Sequence, residues 1–313
     1  MPKLSMAALM SERLRTSLGP LTLANPFVNA SGTYGYGIEY ASFVDVARLG
    51  GVSVKGISLQ PRPGNSPPRT CETSAGMLNS IGLANIGIDV FLAETLPQLR
   101  ELGVTVIVNT FATSIEDFVA LAARFDKETG IAALELNISC PNVHAGGMHF
   151  GVSGAAAAEV TGAVRAVTDL PLMVKLSPEA GDIGEVARGV ESAGADVISM
   201  INTIRGMVID VDRRRPMLGQ KMGGMSGPAI KPLGVRMVYE VFQQVSIPII
   251  GMGGIASLRD ALEYLMAGAS AVQVGTANYS EPGISLRLAD ELEAWCSERD
   301  LTVSDLVGCA QGD

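Results

Sequence analysis

The sequence predicts an α/β protein built as one closed (β/α)8 barrel, a TIM barrel, on three observations: eight short apolar runs rich in strand-forming residues, amphipathic stretches between them, and no break in composition along the chain. The runs are Phe27 to Ala30, Val52 to Ser58, Val104 to Asn109, Ala133 to Asn137, Leu172 to Lys175, Val197 to Asn202, Ile249 to Gly251 and Ala271 to Val274. Their β-branched content and length suit strands buried on both faces. Between them, Glu116 to Phe125, Ala155 to Val167, Gly184 to Ala193, Leu233 to Val245 and Leu258 to Ala267 carry helical periodicity. A short hairpin is expected over Thr16 to Leu23, within an N-terminal segment 1–24, and the single domain is expected to span 1–313. A doubly wound open sheet is the structural alternative; eight units in regular alternation favour closure.

Composition sets the outer limits. With 313 residues, 47% hydrophobic and 18% charged, the chain has ample apolar surface for one large core. Its 36 glycines gather at the ends of apolar runs, as tight strand-to-helix turns require. A net charge of −9 excludes the basic footprint of nucleic-acid binding, and Arg213-Arg214-Arg215, preceded by Asp210 and Asp212, reads as a solvated loop. Cys71, Cys140, Cys296 and Cys309 have none of the paired spacings that hold zinc or an iron-sulfur cluster, so no metal site is expected and all four read as thiols in a reducing cytoplasm. The apolar patch in MPKLSMAALMSERLR is too short for a signal or a membrane span, and a soluble cytoplasmic protein is expected.

In such a barrel the chemistry sits at the C-terminal strand ends. Those ends carry Ser31, Lys55, Asn109, Asn137, Lys175 and Asn202, and the last two strands run into Gly253-Gly254 and Gly275-Thr276. Serine and asparagine can cap a following helix, but lysine cannot cap an N-terminus, so convergence on one site is the better reading. The glycine pairs, with Ser226-Gly227-Pro228, offer backbone amides at helix N-termini for a phosphate. The run Gly251-Met252-Gly253-Gly254-Ile255-Ala256 formally fits a dinucleotide fingerprint, but the next strand ends in Gln273-Val274-Gly275-Thr276 without the acidic residue that holds a ribose, and a mononucleotide phosphate fits better.

Three connections are long: Leu59 to Asn85, Ser139 to Gly154, and Thr203 to Lys231. Long connections in a compact domain are functional lids or disordered excursions. The second holds Cys140-Pro141-Asn142 and Gly146-Gly147 and reads as a lid presenting a thiol, either a proton acceptor or a nucleophile. His144 and His149 share the loop and could partner a nucleophile, which keeps a cysteine hydrolase open; a third metal ligand is not evident. Asn137-Ile138-Ser139 matches a glycosylation acceptor only formally, since the asparagine ends a strand.

The segments Asn29-Ala30-Ser31-Gly32-Thr33, Val54-Lys55-Gly56, Asn79-Ser80-Ile81-Gly82-Leu83, Asn137-Ile138-Ser139-Cys140-Pro141-Asn142, Ile201-Asn202-Thr203 and Gly251-Met252-Gly253-Gly254-Ile255 together resemble the class 1 dihydroorotate dehydrogenases over nearly the whole chain. Asn202-Thr203-Ile204-Arg205-Gly206-Met207 and Gly224-Met225-Ser226-Gly227-Pro228-Ala229-Ile230-Lys231-Pro232 look most like class 1B. The resemblance implies a flavoprotein oxidoreductase of pyrimidine (UMP) biosynthesis that oxidises dihydroorotate to orotate. It implies that hydride goes from carbon 6 to FMN and that Cys140 is the base taking the proton from carbon 5. It implies substrate contacts from Lys55, Asn79, Ser80, Ile81, Gly82, Leu83, Asn137, Asn202 and Thr203. FMN contacts are implied for Ser31, Lys55, Gly56, Asn109, Asn137, Lys175 and Ile201 around the ring, and for Gly227, Gly253, Gly254, Gly275 and Thr276 around the phosphate. Class 1B further implies a homodimer core within a heterotetramer whose electron-transfer subunit carries FAD and [2Fe-2S] and reduces NAD. A class 1A homodimer using fumarate is the near alternative.

Overall fold

The computed structural model describes residues 12–139 and 150–312. Eight parallel strands close into a barrel: β1 (Phe27–Asn29), β2 (Gly51–Ser53), β3 (Val106–Thr110), β4 (Ala133–Asn137), β5 (Leu172–Lys175), β6 (Val197–Met200), β7 (Ile249–Met252) and β8 (Ala269–Val274). Each pairs with its neighbours in sequence, and β8 closes onto β1 through Val272↔Phe27 and Val274↔Asn29. All eight expected strands are present.

Among the described residues, helices cover the outside: α1, which runs through Gly87–Val90, a π-helical turn Phe91–Thr95 and Leu96–Glu101, then α2 (Ile115–Phe125), α3 (Gly154–Arg165), α4 (Ile183–Ser192), α5 (Lys231–Phe242), α6 (Leu258–Ala267), α7 (Ile284–Arg299) and the short α8 (Val303–Leu306). Several start where a side chain stops the strand-to-helix loop: Ser114, Ser153 and Asp182 each accept from the backbone N–H three residues on. The connection from β1 to β2 departs from the regular alternation, with only two 3-10 turns, Ile38–Tyr40 and Val46–Arg48, in place of a helix. Gly32, Gly35 and Gly37 all take positive φ there, which no continuous helix tolerates.

Alternation along the strands divides the barrel interior into layers. Val28, Ile107, Ala133, Met173, Val197, Ile250 and Ala271 form a buried apolar cluster with Leu18 and Leu23. Those two leucines belong to the expected hairpin, which pairs Thr16–Leu18 with Leu21–Leu23 and stoppers the N-terminal end of the barrel. Two residues further along the strands the layer turns polar: Ser53, Asn109, Glu135, Lys175, Ser199 and Gln273, all buried. The opposite strand faces, such as Leu134 and Leu136, join the larger core under the helices.

The connections from Leu59 to Asn85 and from Thr203 to Lys231 differ from the lids or disordered excursions expected of them. They combine into one four-stranded antiparallel sheet in the order Ile204–Gly206, Gly223–Ser226, Gly76–Asn79, Thr70–Thr73. The backbones of these four segments are thereby paired, and the sheet becomes a wall beside the barrel mouth. A small ribbon, Ile209–Asp210 with Arg215–Pro216, extends from it, carrying the exposed arginine cluster. No helix among the described residues is long and apolar enough to cross a membrane.

Candidate active site

Lys55 follows β2 and its backbone N–H donates to Gly35 O at 2.9 Å, so the glycine-rich first connection fixes the lysine at the mouth. Asn137 ends β4. Its Oδ1 accepts from Ser139 N at 3.3 Å and from Asn202 Nδ2 at 3.5 Å, tying two strand ends together. Asn202 Oδ1 in turn accepts from Thr203 N at 2.8 Å, while Asn202 N donates to Leu176 O at 3.2 Å. On the sheet wall Asn79 Nδ2 donates to Gly224 O at 3.4 Å. A Cβ on Gly224 would fall 2.0 Å from the Thr203 hydroxyl, so the glycine is what admits Thr203.

These elements enclose one cavity of about 620 Å³ at the C-terminal end of the barrel. It is lined by every described residue expected in the site: Ser31, Lys55, Gly56, Asn79, Ser80, Ile81, Gly82, Leu83, Asn109, Asn137, Lys175, Ile201, Asn202, Thr203, Gly227, Gly253, Gly254, Gly275 and Thr276. Ser139 also lines it, and its hydroxyl donates to Lys175 O at 2.7 Å. Cys140, with Pro141, Asn142, His144, Gly146, Gly147 and His149, lies outside the described residues.

The glycine turns expected to hold a phosphate do not coincide with a free helix N-terminus. At the start of α6, Ser257 accepts from Asp260 N, and Asp260 Oδ2 accepts from Ala256 N and Ser257 N at 3.1 and 2.9 Å, so the helix end is capped by its own residues. The backbone that lines the cavity lies one turn earlier, where Gly253 and Gly254 adopt φ of 121° and 74° beside Gly227 at 97°. A Cβ on Gly254 would stand 2.8 Å from Gly227 O. Only glycine allows these two loops to meet, and Thr276 Oγ1 donates to Ser226 Oγ at 2.8 Å beside them.

Electrostatically the cavity runs against the acidic chain. Lys55, Arg62, Lys175 and Arg205 line it with Glu179 as the opposing carboxylate, so an anionic ligand is favoured. Burial and the neighbouring Arg69 charge push the Lys55 ammonium pKa below its ordinary value, against the opposing pull of Glu39.

Among the residues that escaped the sequence reading are Gln273, which lines the cavity with Arg62, Glu179 and Arg205, and Glu135 beneath it. Burial alone would raise the Glu135 carboxyl pKa; the Lys175 charge and hydrogen bonds from Ser53, Ser199 and Asn109 outweigh it and hold the group below the usual carboxylate range. The signal was a lone charge inside Ala133-Leu134-Glu135-Leu136, where a strand buried on both faces should be apolar throughout.

Comparison with known proteins bears on the whole chain. The dihydroorotate dehydrogenase family profile matches residues 13–295. A protein of Desulforamulus reducens named dihydroorotate dehydrogenase B (NAD(+)), catalytic subunit, is 51% identical over 302 residues, covering 96% of this chain and 99% of that protein. Relatives of the same name from Trichlorobacter lovleyi and Bacteroides thetaiotaomicron are 48% and 46% identical, covering 97% and 95% of this chain and 100% and 99% of theirs. With a profile running through the whole barrel and near-full-length relatives close to half identical, the chain belongs to the dihydroorotate dehydrogenase family.

Proposed function

We propose that this chain is the catalytic subunit of an NAD-linked dihydroorotate dehydrogenase, holding one FMN and oxidising dihydroorotate to orotate in the cytoplasm for pyrimidine biosynthesis. The observation that carries the reading is one cavity in which a cationic, amide-rich mouth adjoins a glycine cradle. The first suits a carboxylated pyrimidine and the second a phosphate.

The residues present fit FMN. Buried Asn109 Oδ1 and Gln273 Oε1 have no hydrogen-bond partner in the protein, and a flavin's imide and hydroxyl donors would satisfy them. The Gly227, Gly253 and Gly254 backbone, with Gly275 and Thr276 alongside, leaves room that side chains would fill. When bound, FMN supplies the two-electron acceptor for the hydride leaving carbon 6 of the substrate.

The protein's own groups do the rest. Lys55 pairs with the substrate carboxylate, and Asn79, Asn137, Asn202 and Thr203 match the donors and acceptors of the pyrimidine edge, with the backbone of 80–83 closing over it. Lys175, buried in the polar layer, favours an anionic ligand above it. Cys140 removes the proton at carbon 5. Ser139, immediately before it, is anchored by its hydroxyl to Lys175 O.

The purified chain should be yellow, and its flavin absorption should bleach on adding dihydroorotate; a colourless preparation that takes up no FMN would refute the reading. The relatives are named as catalytic subunits of an NAD(+) form, in keeping with an electron-transfer partner bearing FAD and [2Fe-2S] on a homodimer core. The isolated chain should therefore reduce NAD slowly until that partner is added, and rapid NAD reduction by this chain alone would remove the partner from the scheme.

A further inference from the structure

Glu135 is fully buried at the centre of the barrel and accepts from four other strands. Ser53 Oγ and Asn109 Nδ2 donate to Oε2, each at 2.7 Å; Ser199 Oγ and Gln273 Nε2 donate to Oε1 at 2.7 and 2.9 Å. Each side-chain amide thus turns its nitrogen to the carboxylate and donates one N–H to it. Their oxygens are left over, buried and without a partner, on two residues that line the cavity. The Cβ that Gly56 lacks would stand 2.8 Å from Asn109 Oδ1, so bare backbone makes room for that oxygen.

An amide can turn either end toward a ligand, whereas an ionised carboxylate only accepts. Placed between two amides, it dictates which way both face. We infer that Glu135 is a positioning residue for the cofactor, locking Asn109 and Gln273 with their oxygens toward the cavity as acceptors for the imide N–H and ribityl hydroxyls of FMN. The inference rests on the FMN reading above. A carboxylate in a closed, fully donated cage costs desolvation and is not needed to fill the barrel. Its return is a fixed pattern of acceptors and a negative charge set against Lys175.

Glu135→Gln tests this in the full-length chain, because it replaces one acceptor oxygen by an NH2 group of almost the same size. Whichever end the new nitrogen takes, it confronts the amide N–H of Asn109 or of Gln273, and one of those must reverse. FMN binding to the apoprotein should weaken about tenfold, the loss of one good hydrogen bond. The midpoint potential of the bound flavin should move positive, since Lys175 is then unopposed. Glu135→Asp keeps the charge and should keep the potential near wild type. Should Glu135→Gln fail to fold, Gln273→Met leaves the carboxylate intact and should still weaken FMN about tenfold. Where both variants fold, their effects on affinity should combine to less than the sum.

A wild-type apoprotein that binds no FMN overturns the cofactor reading and this inference together. Wild-type uptake with unchanged affinity and potential in Glu135→Gln, or unchanged affinity in Gln273→Met, overturns this inference alone.

Discussion

Replacing Cys140 by serine should leave FMN bound and slow flavin reduction by dihydroorotate about 10²- to 10⁴-fold at neutral pH, the range that a positioned general base contributes. A thiol with a reference pKa of about 8.5 needs only modest local help to reach a useful thiolate fraction. A serine hydroxyl ionises far less readily in the same surroundings. Stopped-flow bleaching of the flavin separates this from a binding defect, because the substrate concentration giving half-maximal rate should change little. Reduction at the wild-type rate would show that the proton leaves by another route.

Orotate affinity should fall about 10- to 100-fold in Lys55→Ala, since a charge-assisted pair with the substrate carboxylate is lost from a half-buried site. The pH dependence carries a sign. Burial and Arg69 lower the Lys55 pKa, so the wild-type ammonium loses its charge at a lower pH than a free lysine would. Orotate binding should accordingly decline as pH rises through that lowered value, and the alanine variant should lack this alkaline limb. Spectral titration of the bound flavin with orotate reads both effects. Wild-type affinity in the variant would assign the carboxylate to another cation.

The barrel is legible in the sequence because each strand is a continuous apolar run whose meaning does not depend on distant residues. Phe27 to Ala30 and Ala133 to Asn137 read as strands wherever they pair. The sheet wall is not legible for the opposite reason. Gly76–Asn79 and Gly223–Ser226 are short and glycine-bearing, with weak strand propensity, and they become strands only because the fold aligns Asn79 with Gly224 across the barrel mouth. The missing first helix is a local matter, and Gly32, Gly35 and Gly37 announce it once their φ values are considered. The site is read through its rim, where polar strand ends stand out. Its floor hides, because Glu135, Ser53, Ser199 and Gln273 are contributed one at a time by separate strands and acquire meaning only as a ring.

The hairpin stopper turns the barrel into a cup. Leu18 and Leu23 seal its base against the apolar layer. Among the described residues the polar ring therefore opens toward the mouth, where a seated ligand would be the cork over the carboxylate, the two amides and the buried ammonium.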